Sequence, residues 1–266
     1  MTVRPTIREV VRHLLPSRVA TGLHRSTKEV ASLSIRTLIS KGTPVALAAM
    51  LWLATSAEAS TSTYVIPGGT TVGGQPVSAT ATFVTSTNDL QITLTNLQNN
   101  PTSVIQNLSD LAFTLSTGQT VGSLSSSSAL DRTVNANGTF SDSGTVATGW
   151  QVETSGAGLR LHVLGTPIGP EHTLIGGPDS GGLYSAAMGS IAGNTAHNPF
   201  ITGTATFDIH IIGLIASSLV NSATFSFGTT EGANVPGVPR VPGPATLLLL
   251  GPGLGIIGFR GWRRRQ

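Results

Sequence analysis

From Val77 onward the chain is written in short runs of alternating apolar and polar residues. Val77, Ala79, Ala81 and Phe83 take every second position to Val84, and Leu90-Gln91-Ile92-Thr93-Leu94-Thr95 repeats the pattern. A period of two puts one face of a strand toward a core and the other toward water. Phe113-Thr114-Leu115 follows it briefly. Leu159 to Val163 does so with Arg160 and His162 facing water, and Thr204 to Ile211 with Asp208 and His210 outward. Ala223 to Gly228 closes the series. Turn residues separate these runs at Val72-Gly73-Gly74, at Ala136 to Thr139 and at Gly176 to Gly182. One short helix is predicted over Thr102 to Leu111, after Pro101, and residues 215–221 suit either strand or turn. Many half-buried strands without a helical period predict a mainly β fold, an antiparallel β-sandwich spanning residues 60–234.

Composition sharpens this picture. Ser, Thr, Gly and Val dominate and charged residues are scarce, as suits strands and turns more than a helix-rich enzyme. The chain has no Cys, which excludes disulfides, thiolate metal sites and Cys nucleophiles. The basic balance of the whole chain is misleading. Its cations crowd into the first 41 residues and the last seven, so that only Arg132, Arg160 and Arg240 lie between Ser60 and Arg240. Nine carboxylates share that interval, leaving six net negative charges. An acidic body repels nucleic acid, so no nucleic-acid partner is expected.

Both ends carry address signals. Lys41 precedes an uncharged run from Pro44 to Ala54, and Ala57-Glu58-Ala59 follows it. A positive flank, a short apolar run and an A-x-A site form a secretory signal, with signal peptidase expected to cut between Ala59 and Ser60. The run is shorter than the ~20 residues of a comfortable membrane span. Residues 1–59 are therefore a leader and signal peptide. The stretch before Pro44 exceeds an ordinary n-region, which points to a translation start downstream of Met1. A precursor peptide beginning near Met1 would overturn that expectation.

At the other end, Val235 to Arg240 reads as an extended Pro/Gly linker that holds the body off the bilayer. Val241-Pro242-Gly243-Pro244-Ala245-Thr246 follows. An uncharged stretch runs from Ala245 to Phe259, and Arg260, Arg263, Arg264 and Arg265 end the chain. The stretch predicts a single apolar helix in the membrane, and the positive-inside rule keeps the arginines cytoplasmic as a membrane stop. The body then lies outside, in agreement with the N-terminal signal.

This ordered tail, residues 241–266, resembles the PEP-CTERM sorting segment of Gram-negative bacteria. Val241, Pro242, Pro244, Ala245, Thr246, Leu247 to Leu250 and Arg263 to Arg265 match its pattern. Gly243 stands where that family has Glu, and Pro252 interrupts the apolar stretch. The resemblance implies an exosortase-type processing enzyme as partner, with Pro242 to Pro244 as its recognition site. It also implies transient anchoring in the inner membrane, delivery to the cell surface, and a setting of biofilm and extracellular polysaccharide. Residues 103–109 and 196–200 are similar to stretches of bodies found with such tails, a likeness that implies no activity.

Chemistry in the body is harder to find. Glu171, His172, Asp179 and His197 lie in loop-like stretches, and two His with carboxylates form a donor set for a divalent metal. No HExxH or other spacing-defined cluster occurs, and turn and hydrogen-bonding roles are the favoured explanation. No Gly-x-Ser-x-Gly elbow marks a hydrolase. Ser125 to Ser128 reads as a solvated loop. Trp150 and Tyr184 have the ring faces that stack on sugars, although burial is the more common fate of such residues. The expectation is a non-enzymatic surface or matrix protein without cofactor or metal. The alternative is a secreted carbohydrate-binding module or weak hydrolase.

Overall fold

The computed structural model describes residues 59–185, 189–230 and 232–240. It is mainly β. The strands are β1 (Ser60–Val65), β2 (Thr71–Val72), β3 (Gln75–Pro76), β4 (Ala79–Thr85), β5 (Asp89–Asn96), β6 (Leu108–Leu115), β7 (Ser123–Val134) and β8 (Phe140–Val146). They continue with β9 (Gln151–Ser155), β10 (Gly158–His162), β11 (Leu174–Ile175), β12 (Phe200–His210), β13 (Val220–Phe227), β14 (Asn234–Pro236) and β15 (Val238–Pro239). Strands β2 and β3 form a small separate hairpin, and the other 13 join one sheet.

Within that sheet the hydrogen-bonded order β15-β1-β4-β5-β12-β7-β8 makes one run, and β14-β13-β6-β10-β9 makes a second. Strand β11 links them, parallel to β12 and antiparallel to β6; all other described pairings are antiparallel. The two runs face each other over one core. Phe83 on β4 and Phe113 on β6 meet at 5.4 Å between ring centroids although their strands share no hydrogen bond. The Tyr64 hydroxyl on β1 donates to the Val220 carbonyl on β13 at 2.8 Å.

The alternation predicts this core well. Ala79, Ala81 and Phe83, then Leu90, Ile92 and Leu94, and Ala205, Phe207 and Ile209 are all buried at successive inward positions. Each large apolar side chain so buried contributes roughly 1.5–3 kcal/mol. The turn at 136–139 also forms. Gly138 has φ +83°, and a Cβ there would lie 2.4 Å from the Tyr184 carbonyl oxygen, so this corner requires glycine twice over.

Three expectations are corrected. The helix over Thr102 to Leu111 is a single 3-10 turn, Val104–Gln106. Gln106 Oε1 accepts from the backbone N–H groups of Thr102 at 2.7 Å and Ser103 at 3.1 Å, which closes the turn. From Leu108 the chain is claimed by pairing with β13 and β10. Ser125 to Ser128 is no loop but part of β7, where backbone pairing with β12 outweighs the indifferent side chains.

Residues 235–240 are also not a free linker. Phe225 pairs with Val235, Tyr64 with Pro239, and the Arg240 N–H donates to the Thr63 carbonyl at 2.7 Å. Proline is tolerated because these strands lie at sheet edges. A Cβ at Gly237 would lie 2.8 Å from Phe225 Cε2 and 3.1 Å from the Ala223 carbonyl oxygen. Gly237→Val should therefore destabilise the body by about 1–3 kcal/mol. A urea midpoint unchanged from the parent's would return residues 235–240 to the status of a spacer.

Among the described residues no helix is long and apolar enough to cross a membrane. The signal segment and the predicted C-terminal apolar helix lie outside them.

Candidate functional site

The most developed polar site lies on the outward face of the second run. On β6, Leu111, Phe113 and Leu115 turn into the core, so Asp110 and Ala112 turn out. Register then sets their neighbours. Ala112 stands opposite Arg160 of β10 and Thr224 of β13, and Arg160 opposite Glu153 of β9. Asp110 stands opposite His162 and Ser226. Two cross-strand rows of polar side chains result, and the small Ala112 leaves a depression between them. This groove, about 480 Å³, is closed on one side by Thr230, Gly232 and Asn234.

Its floor is ionic. Arg160 Nε donates to Asp110 Oδ2, and Arg160 Nη1 donates to Glu153 Oε1 at 3.2 Å. The Asp110 carboxylate is almost entirely buried, so the guanidinium compensates a charge that water reaches poorly. Glu153 Oε2 lies 3.7 Å from His162 Nε2, and His162 Nδ1 is 2.6 Å from the Leu164 carbonyl oxygen. On the wall, the Ser226 hydroxyl donates to Asn234 Oδ1. The site offers hydroxyls, an amide and a fork of charge. Such a surface can hydrogen-bond a polar ligand.

Glu171, His172, Asp179 and His197, for which the sequence favours turn and hydrogen-bonding roles, do not gather into one site. His172 is buried, with φ +59°. Its Nδ1 donates to the Thr148 carbonyl at 2.8 Å and its Nε2 lies 3.4 Å from Asp131 Oδ1, so both nitrogens face protein oxygens. Asp179 Oδ1 accepts from the backbone N–H groups of Gly181 at 2.8 Å and Leu183 at 2.9 Å, a local turn closure. His197 Nδ1 is 2.9 Å from Asn194 Oδ1, and burial lowers its pKa. Glu171 is half-buried in its loop. Among the described residues no three His, Asp or Glu groups cluster to hold a metal ion.

Trp150 is only 2% exposed, and its indole N–H donates to the His172 carbonyl at 2.9 Å. Tyr184 is equally enclosed, and its hydroxyl donates to the Gly176 carbonyl at 2.8 Å. Neither ring offers a face to a sugar. The groove itself was not legible in the chain. His162 is buried rather than water-facing, and Asp110 fell within a supposed helix. The one signal was the pair Arg160 and His162 on a single strand face, which does not say which carboxylates stand opposite.

Of the sorting and processing residues, Ala57, Val241 to Thr246, Arg260 and Arg263 to Arg265 lie outside the described residues. Ser60 opens β1, and its N–H donates to the Ala216 carbonyl at 2.9 Å.

No protein-family model, curated protein or solved structure matches this chain.

Proposed function

We propose that this chain is an exported, non-enzymatic surface or matrix protein: a β-sandwich body delivered by an N-terminal signal and held at the membrane by a PEP-CTERM-like tail until an exosortase-type enzyme releases it. The observation that carries this reading is a coincidence of boundaries. The expected signal cut falls immediately before Ser60, the first residue of β1. The expected sorting motif begins at Val241, two residues after the end of β15. Strands β1 and β15 pair with each other, so cuts at both places would leave the paired ends of the sheet intact. In this reading the processing chemistry belongs to the enzyme that cuts, and this chain supplies its recognition residues, Pro242 to Pro244. The setting is extracellular polysaccharide on a Gram-negative bacterium.

Intact masses of protein recovered from surface and medium fractions test this. A species that starts at Ser60 and ends near Pro242 to Pro244 is expected. A mature mass that retains Trp262 to Gln266 would remove the exosortase step. A second reading, a module that binds extracellular polysaccharide, is favoured by the groove over Ala112, whose hydroxyl and amide walls suit a hydroxyl-rich ligand. It rests on Arg160, Asn234 and Thr224 and not on Trp150.

A further inference from the structure

The pairing of residues 235–240 removes the spacer that the chain suggested, and this changes where the body must sit. Strand β15 runs antiparallel to β1, from Val238 beside Val65 to Pro239 beside Tyr64, and Arg240 hydrogen-bonds Thr63. The chain therefore leaves the body heading toward the Ser60 end of β1. Only four residues, Val241-Pro242-Gly243-Pro244, separate Arg240 from the uncharged stretch that begins at Ala245. Fully extended they reach ~14 Å at most. A headgroup layer takes up about half of that distance.

The end of the body that faces this tether carries four of the seven large hydrophobic residues exposed among the described ones. It gathers the turn at 86–88, the β6–β7 loop at 116–122 and the β12–β13 loop at 211–219. These are joined by hydrogen bonds from Asn88 N–H to the Leu214 carbonyl and from Gln119 Nε2 to the Gly213 carbonyl, both at 2.9 Å. None of the three segments contains a charged residue, and the groups that flank them, Asp89 and His210, pair with each other at 3.0 Å at the edge of this face. Instead the segments expose Ile212 at 80%, Val121 at 73%, Ile215 at 51% and Leu219 at 50%. Val121 and Ile212 line one shallow pocket, and Leu219 lines another together with Pro239 and Arg240, beside the exit of the chain. The carboxylates of Glu171 and Asp179 belong to loops at the opposite ends of the strands.

We propose that this end is a membrane-docking face, whose exposed Val121, Ile212, Ile215 and Leu219 enter the outer headgroup layer of the bilayer while the tail is intact. The proposal rests on the anchoring role given to the tail above. Exposed aliphatic residues on uncharged loops lose apolar surface to the interface on contact. A tether of four residues makes that contact effectively intramolecular, so a patch too small to bind vesicles on its own still engages. Arg240, at the rim, faces anionic headgroups. Docking presents the Val241 to Pro244 segment close against the bilayer, where a membrane-embedded processing enzyme must meet it. After a cut the tether is lost, the remaining patch binds weakly, and the body leaves.

The chain has no Cys, so single Cys variants of the full chain take one label each. Fluorophores at Val121→Cys, Ile212→Cys, the far-end control Thr195→Cys and the tail position Leu249→Cys are read in vesicles of phosphatidylethanolamine and phosphatidylglycerol carrying doxyl-labelled lipid. Expected is quenching of the labels at 121 and 212 at least about threefold stronger than at 195, with the label at 249 quenched most. Adding Ile215→Ser and Leu219→Ser should weaken quenching at 212 and leave it unchanged at 249. A quenched label at 249 with unquenched labels at 121 and 212 overturns docking while the anchor stands. Labels at 121 and 212 that become shielded from aqueous iodide without lipid quenching overturn it in favour of protein contact. Quenching at 121 and 212 without quenching at 249 overturns tethered docking, because the patch would then bind without the anchor it is argued to need. No quenching at any position removes both.

Discussion

Trp150→Ala should destabilise the body by about 3–5 kcal/mol. The indole is the largest buried side chain among the described residues and packs against Phe207 with ring centroids 5.3 Å apart. Phe207 lies on β12, in the first run of the sheet, whereas Trp150 immediately precedes β9 of the second. Removing the ring therefore opens a cavity between the two runs. It also leaves the His172 carbonyl without the indole N–H that now reaches it at 2.9 Å. Trp150→Phe keeps most of the volume and loses the hydrogen bond, so its cost should be smaller, roughly 1–2 kcal/mol. Urea denaturation of both variants checks the order. If Trp150→Ala abolished polysaccharide binding and left the denaturation midpoint unchanged, the residue would be a ligand platform and its burial would be wrong.

Arg132→Met should cost about 2–3 kcal/mol near neutral pH, at the lower edge for a broken buried pair because Asp142 keeps 31% of its side chain exposed. Arg132 donates through Nε to Asp142 Oδ1 at 2.7 Å and through Nη2 to Oδ2 at 2.8 Å, a two-point grip that joins β7 to β8. Its Nη1 donates to the Tyr184 hydroxyl at 3.1 Å, and the guanidinium lies 3.8 Å over the Phe140 ring. The cluster thus ties the 176–185 loop to the strands. The hydrogen bond from Arg132 lowers the Asp142 pKa below the ordinary carboxylate value. A depressed folded pKa gives stability that is present above the unfolded value of about 3.9 and is lost as pH falls through the folded one. The stability gap between parent and Arg132→Met should therefore narrow in acid, leaving the contribution of the stack on Phe140. A gap of constant size down to about pH 2 would show that the carboxylate carries none of it.

Much of the body was legible in the chain because alternation is a local signal. Strands β4, β5, β10, β12 and β13 fall on the runs around Phe83, Ile92, Leu161, Phe207 and Phe225. Strands β7 and β8 were missed because Ser125 to Ser128 and Ser141 to Gly144 carry no apolar alternation; they become strands by lending backbone to neighbours. The supposed helix over 102–111 failed for a related reason. Pro101, Ser103 and Gln106 do start a turn, but continuing it would take Leu108 and Leu111 out of the sheet core.

The groove over Ala112 was not legible, and for a physical reason. Of the chemically capable types at Glu171, His172, Asp179 and His197, the fold uses His172 and Asp179 to satisfy loop backbone, the kind of role the sequence favoured for them. Asp110, Glu153 and Arg160 are more than forty residues apart at the extremes and meet only through the β9-β10-β6 register.

The sequence by itself determined the acidic balance of the body and the alternation that buries Phe83, Ile92 and Phe207, since these are read from the residues and their order along the chain. Tertiary structure alone decided which strands are neighbours. From that follow the ionic groove over Ala112, the burial of Trp150 against β12 and the seating of Val238 and Pro239 on β1. Cross-strand register is set by packing over the whole core, and no short window of residues contains it.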